Sequence, residues 1–411
     1  MTFSFGFFPQ ETEHEPSKTS EAQMQKLKPQ ATSDSTNNDP PSQSTEILDW
    51  DRSMKKPLHW IPREKLQALL EERCDQELVC QEIQLDQSII DDHDEDNQNT
   101  HLEEDTDTNQ QSVVRYVDVV YSSFVQNEEE SSNLSNTTVV QPGIYEGGLQ
   151  LWECSVDLVH YLHKRFQQDE TMMLGEGVKP KDYSPASASA ASSLTSPRPP
   201  RILELGCGHG LPSMYWIRRA LQQQHHQQQQ IQLSSLSSSL PQFVLTDYNA
   251  PVVSNVVVSN LILNAAQTLL HPTTNSNQSN SLTNAQACRV IADMVHCATG
   301  DWKGLLRQPE SDDTTPQQQS TFDFIVAAET LYTLESTRET ALLIHALLSK
   351  DNPHATAWIA TKRYYFGVGG GTQAFQQECR VLGLHTEIAK VYDNGRQNIR
   401  EIIQVQHHST N

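Results

Sequence analysis

Beyond Asn136, short apolar runs alternate with stretches of helical spacing. Runs bounded by polar residues predict strands at RILELG, FVLTDY, RVIADMV and ATAWIATK, and FDFIVAAETLY reads as a strand that runs into a helix. LPSMYWIRRAL and VVSNVVVSNLILNAA have the three-to-four-residue apolar spacing of helices. This alternation predicts an α/β fold, with an open and mostly parallel sheet and helices on both faces.

The N-terminal part of the chain carries weaker patterns. Residues 10–45 have the composition of a disordered segment. From Pro62 onwards, leucines at helical spacing predict a short helix near 62–72. Val113 to Val125 is rich in β-branched and aromatic residues, so we expect a strand there that feeds the core.

Four blocks rich in Ser, Gln and Asn interrupt the patterned part, near 172–199, 221–240, 267–285 and 308–320. Each lies between a helical pattern and a following strand pattern, where an alternating α/β fold tolerates long loops. We therefore interpret the blocks as loop insertions without chemistry. The predicted organisation is an acidic, mostly disordered region over 1–112 and one folded domain over 113–411.

The net charge of −23 is concentrated near the N-terminus. Residues 1–135 carry 29 acidic and 10 basic side chains, a net −19, which leaves −4 for the rest of the chain. Acidic runs such as DDHDED are usually solvated, and the alternative is a docking surface for a basic partner. Because such a region repels a phosphate backbone, we expect no direct contact with nucleic acid.

Cysteine usage and hydropathy limit the class of protein further. The seven cysteines form no CxxC pair and no His/Cys cluster with zinc spacing, so we expect reduced thiols and no metal. No apolar run approaches the ~20 residues that span a bilayer. The N-terminus lacks the basic flank and cleavage site of a signal peptide. A soluble, intracellular protein is the expectation.

The stretch ILELGCGHG predicts a ligand-binding turn after a strand. Its glycines stand at 206, 208 and 210, and Leu211 occupies the position of the third glycine in a dinucleotide-binding fingerprint. A GxGxG turn with Glu204 two residues before it suits a ligand without phosphate, whose amino acid end lies against bare backbone. S-adenosylmethionine is the expected ligand of this kind. In an open parallel sheet, ligands bind beyond the carboxyl ends of the strands, where this turn is expected.

Three further elements follow the next strands. Asp247 ends FVLTDY, where a carboxylate can accept two ribose hydroxyls. GDW, residues 300–302, offers an acceptor for the adenine amino group and an indole to pack against the ring. AAETLY, residues 327–332, faces the place where substrate meets methyl donor. The alternatives are an N-cap for Asp247, a core aromatic for Trp302 and a surface charge for Glu329.

Six motifs occur together in the chain: PGIYEGGLQLWECSVDLVHYL (142–162), ILELGCGHGLP, TDYN, GDW, AAETLY and KRYYFGVGGG (362–371). This combination resembles the eukaryotic protein-histidine N-methyltransferases over about residues 138–405 without the insertions, and MTFSFGF is similar to the start of that family. WECS and KRYYFGVGGG distinguish this family from other methyltransferases, because GxGxG is common to a whole superfamily. The resemblance implies a Rossmann-like, seven-strand class I methyltransferase core that uses S-adenosylmethionine.

The resemblance also implies a set of cofactor-binding residues. These are Leu151, Trp152, Glu153, Cys154, Ser155, Glu204, Gly206, Gly208, Asp247, Tyr248, Asn249, Gly300, Asp301, Trp302 and Ala328. At Ala328 the family pattern has serine, so only a backbone contact would survive there. Trp152 is expected near the methionine end of the cofactor, and the alternative is a core anchor of the following helix.

Methyl transfer to histidine requires correct positioning of the substrate more than a nucleophile from the enzyme. A neutral imidazole already attacks a sulfonium methyl readily near pH 7. The enzyme must select one ring nitrogen, and an acceptor on the other nitrogen would do so. Glu329 is the expected acceptor, with Tyr332 shaping the pocket. The glycines at 367 and 369–371 either let a loop approach a substrate backbone or make a tight turn.

The resemblance further implies a substrate and a location. We expect methylation of a histidine, at its tele nitrogen, in a large-subunit ribosomal protein. Location in the cytoplasm and nucleus, a monomeric state and no membrane contact are expected as well.

Each alternative function differs from this one in a single feature. A protein-lysine methyltransferase differs only in the acceptor. A nucleic-acid methyltransferase would carry Asn/Asp-Pro-Pro-aromatic where this chain has AETL, and a nicotinamide dehydrogenase would need glycine at Leu211. A non-catalytic adapter would have no need to keep Glu204, Asp247 and Trp302.

Overall fold

In the computed structural model of the protein, the described residues include ten strands that form two sheets. In chain order the strands are β1 (His59–Trp60), β2 (Cys80–Gln84), β3 (Val113–Val117), β4 (Arg201–Leu205), β5 (Gln242–Asp247), β6 (Val295–Thr299), β7 (Phe324–Ala328), β8 (Thr356–Lys362), β9 (Leu384–Tyr392) and β10 (Arg400–His407). β2 and β3 form an antiparallel pair, and the other eight form one sheet in the order β1-β6-β5-β4-β7-β8-β10-β9.

The direction of the strands defines the fold. β6, β5, β4, β7 and β8 run parallel, whereas β10 is antiparallel to both β8 and β9. The chain adds β5 and β6 on one side of β4 and then crosses to β7 on the other side, so the strand order reverses at β4. Without the short antiparallel β1, this is the seven-strand, class I methyltransferase arrangement. The predicted fold class is confirmed.

Seven helices cover the sheet in the part of the chain that the structure describes. They are α1 (Arg63–Cys74), α2 (Glu153–Gln168), α3 (Leu211–Gln227), α4 (Val252–Leu270), α5 (Asn284–Met294), α6 (Leu334–Leu347) and α7 (Thr372–Val381). α4 mixes α-helical and π-helical turns, and a short 3-10 helix follows β6 at Trp302–Leu306.

The structure describes residues 55–85, 113–117, 147–168, 198–227, 239–271, 282–306, 321–393, 395 and 398–408. The predicted disorder of 10–45, the acidic runs at 91–107, MTFSFGF and most of the four insertion blocks lie outside these residues, as do positions 118–125 of the predicted strand from Val113. The extent of disorder over 1–112 stays a prediction.

Residues 55–85 form part of the folded unit. Leu66 and Leu70 of α1 are fully buried, and Arg63 pairs with Asp293 of α5. β1 extends the sheet along β6. The domain was expected to begin at Val113, because a two-residue strand leaves almost no signal in a sequence.

Two elements differ from their predicted types. RVIADMV was expected to be a strand, but its first six residues end α5 and only Val295 begins β6. The Thr283 hydroxyl accepts a hydrogen bond from the Gln286 N–H, and the Gln286 side-chain oxygen accepts one from the Thr283 N–H, a capping box that starts the helix. ETLY was expected to begin a helix, but α6 begins at Leu334, after a Thr333 cap.

α4 joins several parts of the fold. The Asn264 amide pairs with the backbone of Arg115 in β3, and Asn260 binds both Val117 and the His209 carbonyl in the glycine turn. Among the described residues, α4 is the one helix long and apolar enough to cross a bilayer, yet 78% of its most apolar window is buried in the protein. Ser and Asn interrupt its apolar residues, which is why the sequence shows no continuous run.

Aromatic side chains fill the core between the sheet and α2 and α3. Phe166 and Trp216 lie with ring centroids 4.7 Å apart, and Phe324 stacks on Trp358 at 5.5 Å. All four are buried, so they fix the helices on the sheet beneath the glycine turn.

Candidate active site

The glycine turn follows β4 directly. Gly206, Gly208 and Gly210 have φ angles of 60°, 51° and 66°, a left-handed region that side chains rarely adopt. The Cys207 N–H donates to the Thr246 carbonyl at 2.8 Å, which anchors the turn to β5. The turn therefore offers bare backbone at the carboxyl end of the sheet.

Glu204 lies beneath the turn and is buried. Its Oε2 accepts a hydrogen bond from the Ser213 N–H at 3.1 Å, in the first turn of α3. Burial raises the pKa of Glu204 to about 8. Its described contacts tie β4 to α3.

Asp247 closes the turn from β5. Its Oδ2 accepts from the Gly208 N–H and its Oδ1 from the Asn249 N–H, both at 3.0 Å. A Cβ at Gly148 would lie 2.8 Å from Oδ2, so the 147–150 segment packs directly on this carboxylate. Each carboxylate oxygen has two acceptor sites, so the ribose contact stays compatible with these hydrogen bonds and remains a prediction.

The GDW motif turns back toward the glycine turn. The Gly300 N–H donates to the Asp247 carbonyl at 3.0 Å. A Cβ at Gly206 would lie 2.8 Å from Trp302 Cζ2 and 3.2 Å from Thr330 Cγ2, so both side chains pack on the turn. The Asp301 carboxylate accepts from the backbone N–H groups of Lys55 and Lys303. Its expected contact with adenine remains a prediction.

Two buried polar atoms beside Gly206 indicate a missing partner. Among the described residues, neither Trp302 Nε1 nor Thr330 Oγ1 has a hydrogen-bond partner. Buried polar groups are normally hydrogen-bonded. Together with the bare glycine backbone and the Asp247 carboxylate, these atoms fit a polar ligand such as S-adenosylmethionine.

The segment from Leu151 to Ser155 leads into α2. Trp152 Nε1 donates to the Gly147 carbonyl at 3.0 Å, which fixes the segment over the turn. Cys154 is fully buried, and burial together with the Glu329 carboxylate raises its pKa well above the ordinary value. The exposed Glu153 pairs with Arg400 at 3.6 Å, toward β10. The cofactor contacts of this segment remain predictions.

Glu329 stands just beyond β7 in a strained conformation. Its φ is 59°, and it is the one non-glycine residue of the described chain with positive φ. Its N–H donates to the Ala360 carbonyl of β8 at 2.9 Å. The Tyr365 hydroxyl donates to Glu329 Oε2 at 2.5 Å, and Lys362 Nζ lies 3.3 Å from Oε1. The carboxylate is thus held by two groups from the end of β8.

Lys362 is enclosed by aromatic rings. Its Nζ lies 5.3 Å from the ring centroid of Trp152 and 5.7 Å from that of Tyr365. Burial and the Glu329 carboxylate raise the pKa of Tyr365 well above its ordinary value, so its hydroxyl remains a donor at neutral pH. One cluster therefore joins Trp152, Glu329, Lys362 and Tyr365.

The sequence named Glu329 as the acceptor and Tyr332 as a residue that shapes the pocket, and both roles remain predictions. Tyr332 is half-buried three residues further on, whereas the tyrosine bonded to Glu329 is Tyr365. Lys362 was also not among the predicted site residues. Both belong to KRYYFGVGGG, the motif on which the family resemblance depended, which was the available signal.

The glycines after Tyr365 make a tight turn against the β7–α6 loop. A Cβ at Gly370 would lie 2.0 Å from the Leu331 carbonyl oxygen, and one at Gly371 would lie 2.4 Å from the Arg363 carbonyl oxygen. The turn leaves Tyr364, Phe366 and Val368 exposed beside the half-buried Tyr365. Packing within the chain therefore accounts for these two glycines.

Within the described ranges, no group of three or more His, Cys, Asp or Glu side chains is arranged to hold a metal ion.

Comparison with known proteins finds relatives of one kind. The chain is 25% identical over 278 residues to "Histidine protein methyltransferase 1 homolog" of Dictyostelium discoideum, covering 67% of this chain and 63% of that protein. It is 26% identical over 319 residues to "Histidine protein methyltransferase 1" of Saccharomyces cerevisiae, covering 69% and 73%. The chain thus spans less than two thirds of the Dictyostelium relative's length. No family model matches the chain.

Among solved structures, the N-methyltransferase NodS of Bradyrhizobium japonicum is 11% identical, with a TM-score of 0.30 over 51% of this chain and 78% of that one. The fold assignment rests on the strand order of the sheet and not on this likeness. The relatives by sequence confirm the resemblance that the motifs indicated, and the chain is similar to the histidine protein methyltransferases.

Proposed function

We propose that this chain is an S-adenosylmethionine-dependent protein-histidine N-methyltransferase. The observation that carries the proposal is the buried Glu329 carboxylate, held by Tyr365 and Lys362 at the carboxyl end of the sheet. The next residue, Thr330, packs on the glycine turn, so the carboxylate lies beside the predicted cofactor site. The relationship to histidine protein methyltransferases supports the same acceptor.

The residues that would hold the cofactor are the glycine turn, Asp247, Trp302 and Trp152. When bound, S-adenosylmethionine supplies a methyl group on a sulfonium sulfur. The backbone of Gly206 and Gly208 would bind the amino acid end, and Asp247 the ribose hydroxyls. Trp302 Nε1 and Thr330 Oγ1 supply the polar groups that lack partners in the described chain.

Glu329 would select the reacting nitrogen of the substrate histidine. A neutral imidazole has one N–H and one nitrogen with a free lone pair. When the carboxylate accepts the N–H, the lone-pair nitrogen is the one that faces the methyl group. The ring gains a positive charge as the nitrogen–carbon bond forms and the carbon–sulfur bond breaks, and the carboxylate stabilises this charge until the N–H proton leaves.

Tyr365 and Lys362 would keep Glu329 in place without taking part in the bond changes. Both belong to the rigid end of β8 and its turn, and both contact the carboxylate directly. Preorganised groups of this kind need no rearrangement during the reaction.

We also propose a large-subunit ribosomal protein as the substrate and the tele nitrogen as the methylated atom, with a monomeric enzyme present in cytoplasm and nucleus. These finer assignments rest on the motif resemblance. The net charge of −23 supports a basic partner, because opposite charges accelerate and orient the encounter of two proteins.

The test is a transfer assay with methyl-tritiated S-adenosylmethionine. Purified protein is incubated with ribosomal proteins from cells that lack this chain, and labelled bands are hydrolysed to amino acids. Label in methylhistidine, absent with Asp247→Ala, is the expected result, and chromatography of the two methylhistidine isomers assigns the nitrogen. Label in methyllysine would replace the proposal with a lysine methyltransferase, and no label despite measured cofactor binding would leave a binding adapter.

A further inference from the structure

Residues Lys55 to Ile61, here called the strap, lie along the outer edge of the predicted cofactor site. The Lys55 N–H donates to Asp301 Oδ2 at 3.1 Å, and the Asp301 N–H donates to the Lys56 carbonyl at 3.1 Å. His59–Trp60 pairs with β6, and the Ile61 N–H donates to the Cys297 carbonyl at 2.9 Å. The strap is therefore bonded to the strand that leads into GDW and to the motif itself.

Two glycines make room for the strap. A Cβ at Gly300 would lie 2.2 Å from the Pro57 carbonyl oxygen, and a Cβ at Gly304 would lie 2.4 Å from Leu58 Cβ. Real Cβ atoms do not approach other atoms so closely, so both positions are closed to any side chain while the strap is in place.

Trp302, between Gly300 and Gly304, reaches the glycine turn. Trp302 directly follows Asp301, which is bonded to the strap, and its ring packs on Gly206. At the other end of the same edge, Lys56 Nζ lies 5.5 Å from the ring centroid of Tyr248, which follows Asp247. Strap residues thus contact both segments expected to bind the adenosine part of the cofactor.

We propose that the strap is a working part of the cofactor site, which holds Trp302 and Tyr248 in position for the adenosine end of S-adenosylmethionine. Asp301 then acts as a positioning residue, because its carboxylate binds the backbone of Lys55 and Lys303. A site that is ordered before binding does not lose ordering entropy on binding, so the strap raises affinity. The inference rests on the proposed function only in taking this cofactor as the ligand.

The experiment measures the affinity of the full chain for S-adenosylhomocysteine by calorimetry. Gly304→Ala places a methyl group against Leu58 and should weaken binding about tenfold or more, since Trp302 loses its fixed position. In a Leu58→Gly background the contacting atom is gone, and Gly304→Ala should then weaken affinity for S-adenosylhomocysteine by less than about twofold. This cycle separates the strap contact from any general effect of the alanine.

Lys56→Ala provides a second variant that leaves the strap backbone unchanged. It removes the cation over Tyr248 and should weaken binding about two- to fivefold without a change in melting temperature. The inference is overturned when Gly304→Ala and Lys56→Ala bind as the wild type does, or when the cost at 304 is the same in both backgrounds. Failure of the wild type itself to bind would instead overturn the proposed function.

Discussion

The Tyr365 hydroxyl donates a hydrogen bond to Glu329 Oε2 at 2.5 Å across 36 residues of sequence. The pairing of β7 with β8 places Ala328 opposite Ala360, so the segments that leave the two strands meet beyond the sheet. The strained backbone of Glu329 is tied to the same Ala360. The contact therefore depends on the parallel strand register and not on local sequence.

Tyr365→Phe tests what this hydrogen bond does. The variant keeps the ring but loses a bond to a carboxylate, which contributes about 1.5–3 kcal/mol in proteins. We expect kcat to fall about 10- to 100-fold, with little change in affinity for S-adenosylhomocysteine. Steady-state kinetics and calorimetry measure the two quantities.

Tyr332→Phe is the matched control, because the described hydroxyl bond to Glu329 comes from Tyr365 whereas the sequence had named Tyr332. The control should retain most of its kcat. An equal loss of kcat in both variants would contradict a specific role for Tyr365 at Glu329.

Lys362→Met tests the ion pair. Glu329 and Lys362 have side-chain exposures of 6% and 17%, so the methionine leaves a buried carboxylate without its cation. Loss of one partner of a buried pair costs about 3–5 kcal/mol, and we expect a lower free energy of unfolding in denaturant titrations.

The double variant Glu329→Gln with Lys362→Met separates the pair from packing. The double variant should lose less free energy of unfolding than Lys362→Met, because no unpaired charge remains. Equal losses of unfolding free energy would show that packing of the Lys362 side chain, and not its charge, stabilises this corner.

Gly206→Ala tests the glycine turn as a ligand site. The new Cβ would meet Trp302 Cζ2 at 2.8 Å and displace the indole. We expect affinity for S-adenosylhomocysteine to fall about tenfold or more, since the site loses a fixed wall. Calorimetry of the folded variant measures the loss.

Gly383→Ala is the matched control for backbone strain. Gly383 has a φ of 70°, but a Cβ there meets nothing within 4 Å. Both variants should lose about 1 kcal/mol of stability from a left-handed alanine. An affinity loss shared by both would mean that strain alone, and not the contact with Trp302, explains the effect.

The parts of the site that could be predicted are those coded by neighbouring residues. A tight turn after a buried strand requires glycine at 206 and 208, and a carboxylate that follows the next strand falls at the same edge of the sheet. Their spacing identified the turn and Asp247 without knowledge of the fold.

The parts that could not be predicted depend on distant segments. Tyr365 reaches Glu329 only through the β7–β8 register, and a tyrosine three residues from Glu329 was the nearer choice. RVIADMV has the β-branched content of a strand, and short apolar runs do not distinguish a strand from a buried helix. The strap was missed because β1 has two residues.

Glu204 provides a prediction for pH dependence. Its pKa is raised by burial from 4.5 to about 8 in the folded protein, so the folded state binds a proton that the unfolded state releases above about pH 4.5. The stability that the neutral carboxyl contributes is complete below that pH and is lost as the pH rises toward 8.

Glu204→Gln stays neutral throughout and keeps an oxygen for the Ser213 N–H. The variant should therefore gain stability relative to the wild type between pH 5 and pH 7.5, by more than about 1 kcal/mol in denaturant titrations without cofactor. Groups that titrate in both proteins, such as the half-buried His296, cancel in this difference. Glu64→Gln, at an exposed position of α1, is the control and should follow the wild-type profile. A difference between Glu204→Gln and wild type that stays constant over this range would show that Glu204 keeps an ordinary acidity in the fold, and that water or a counter-charge reaches the carboxylate beneath the glycine turn.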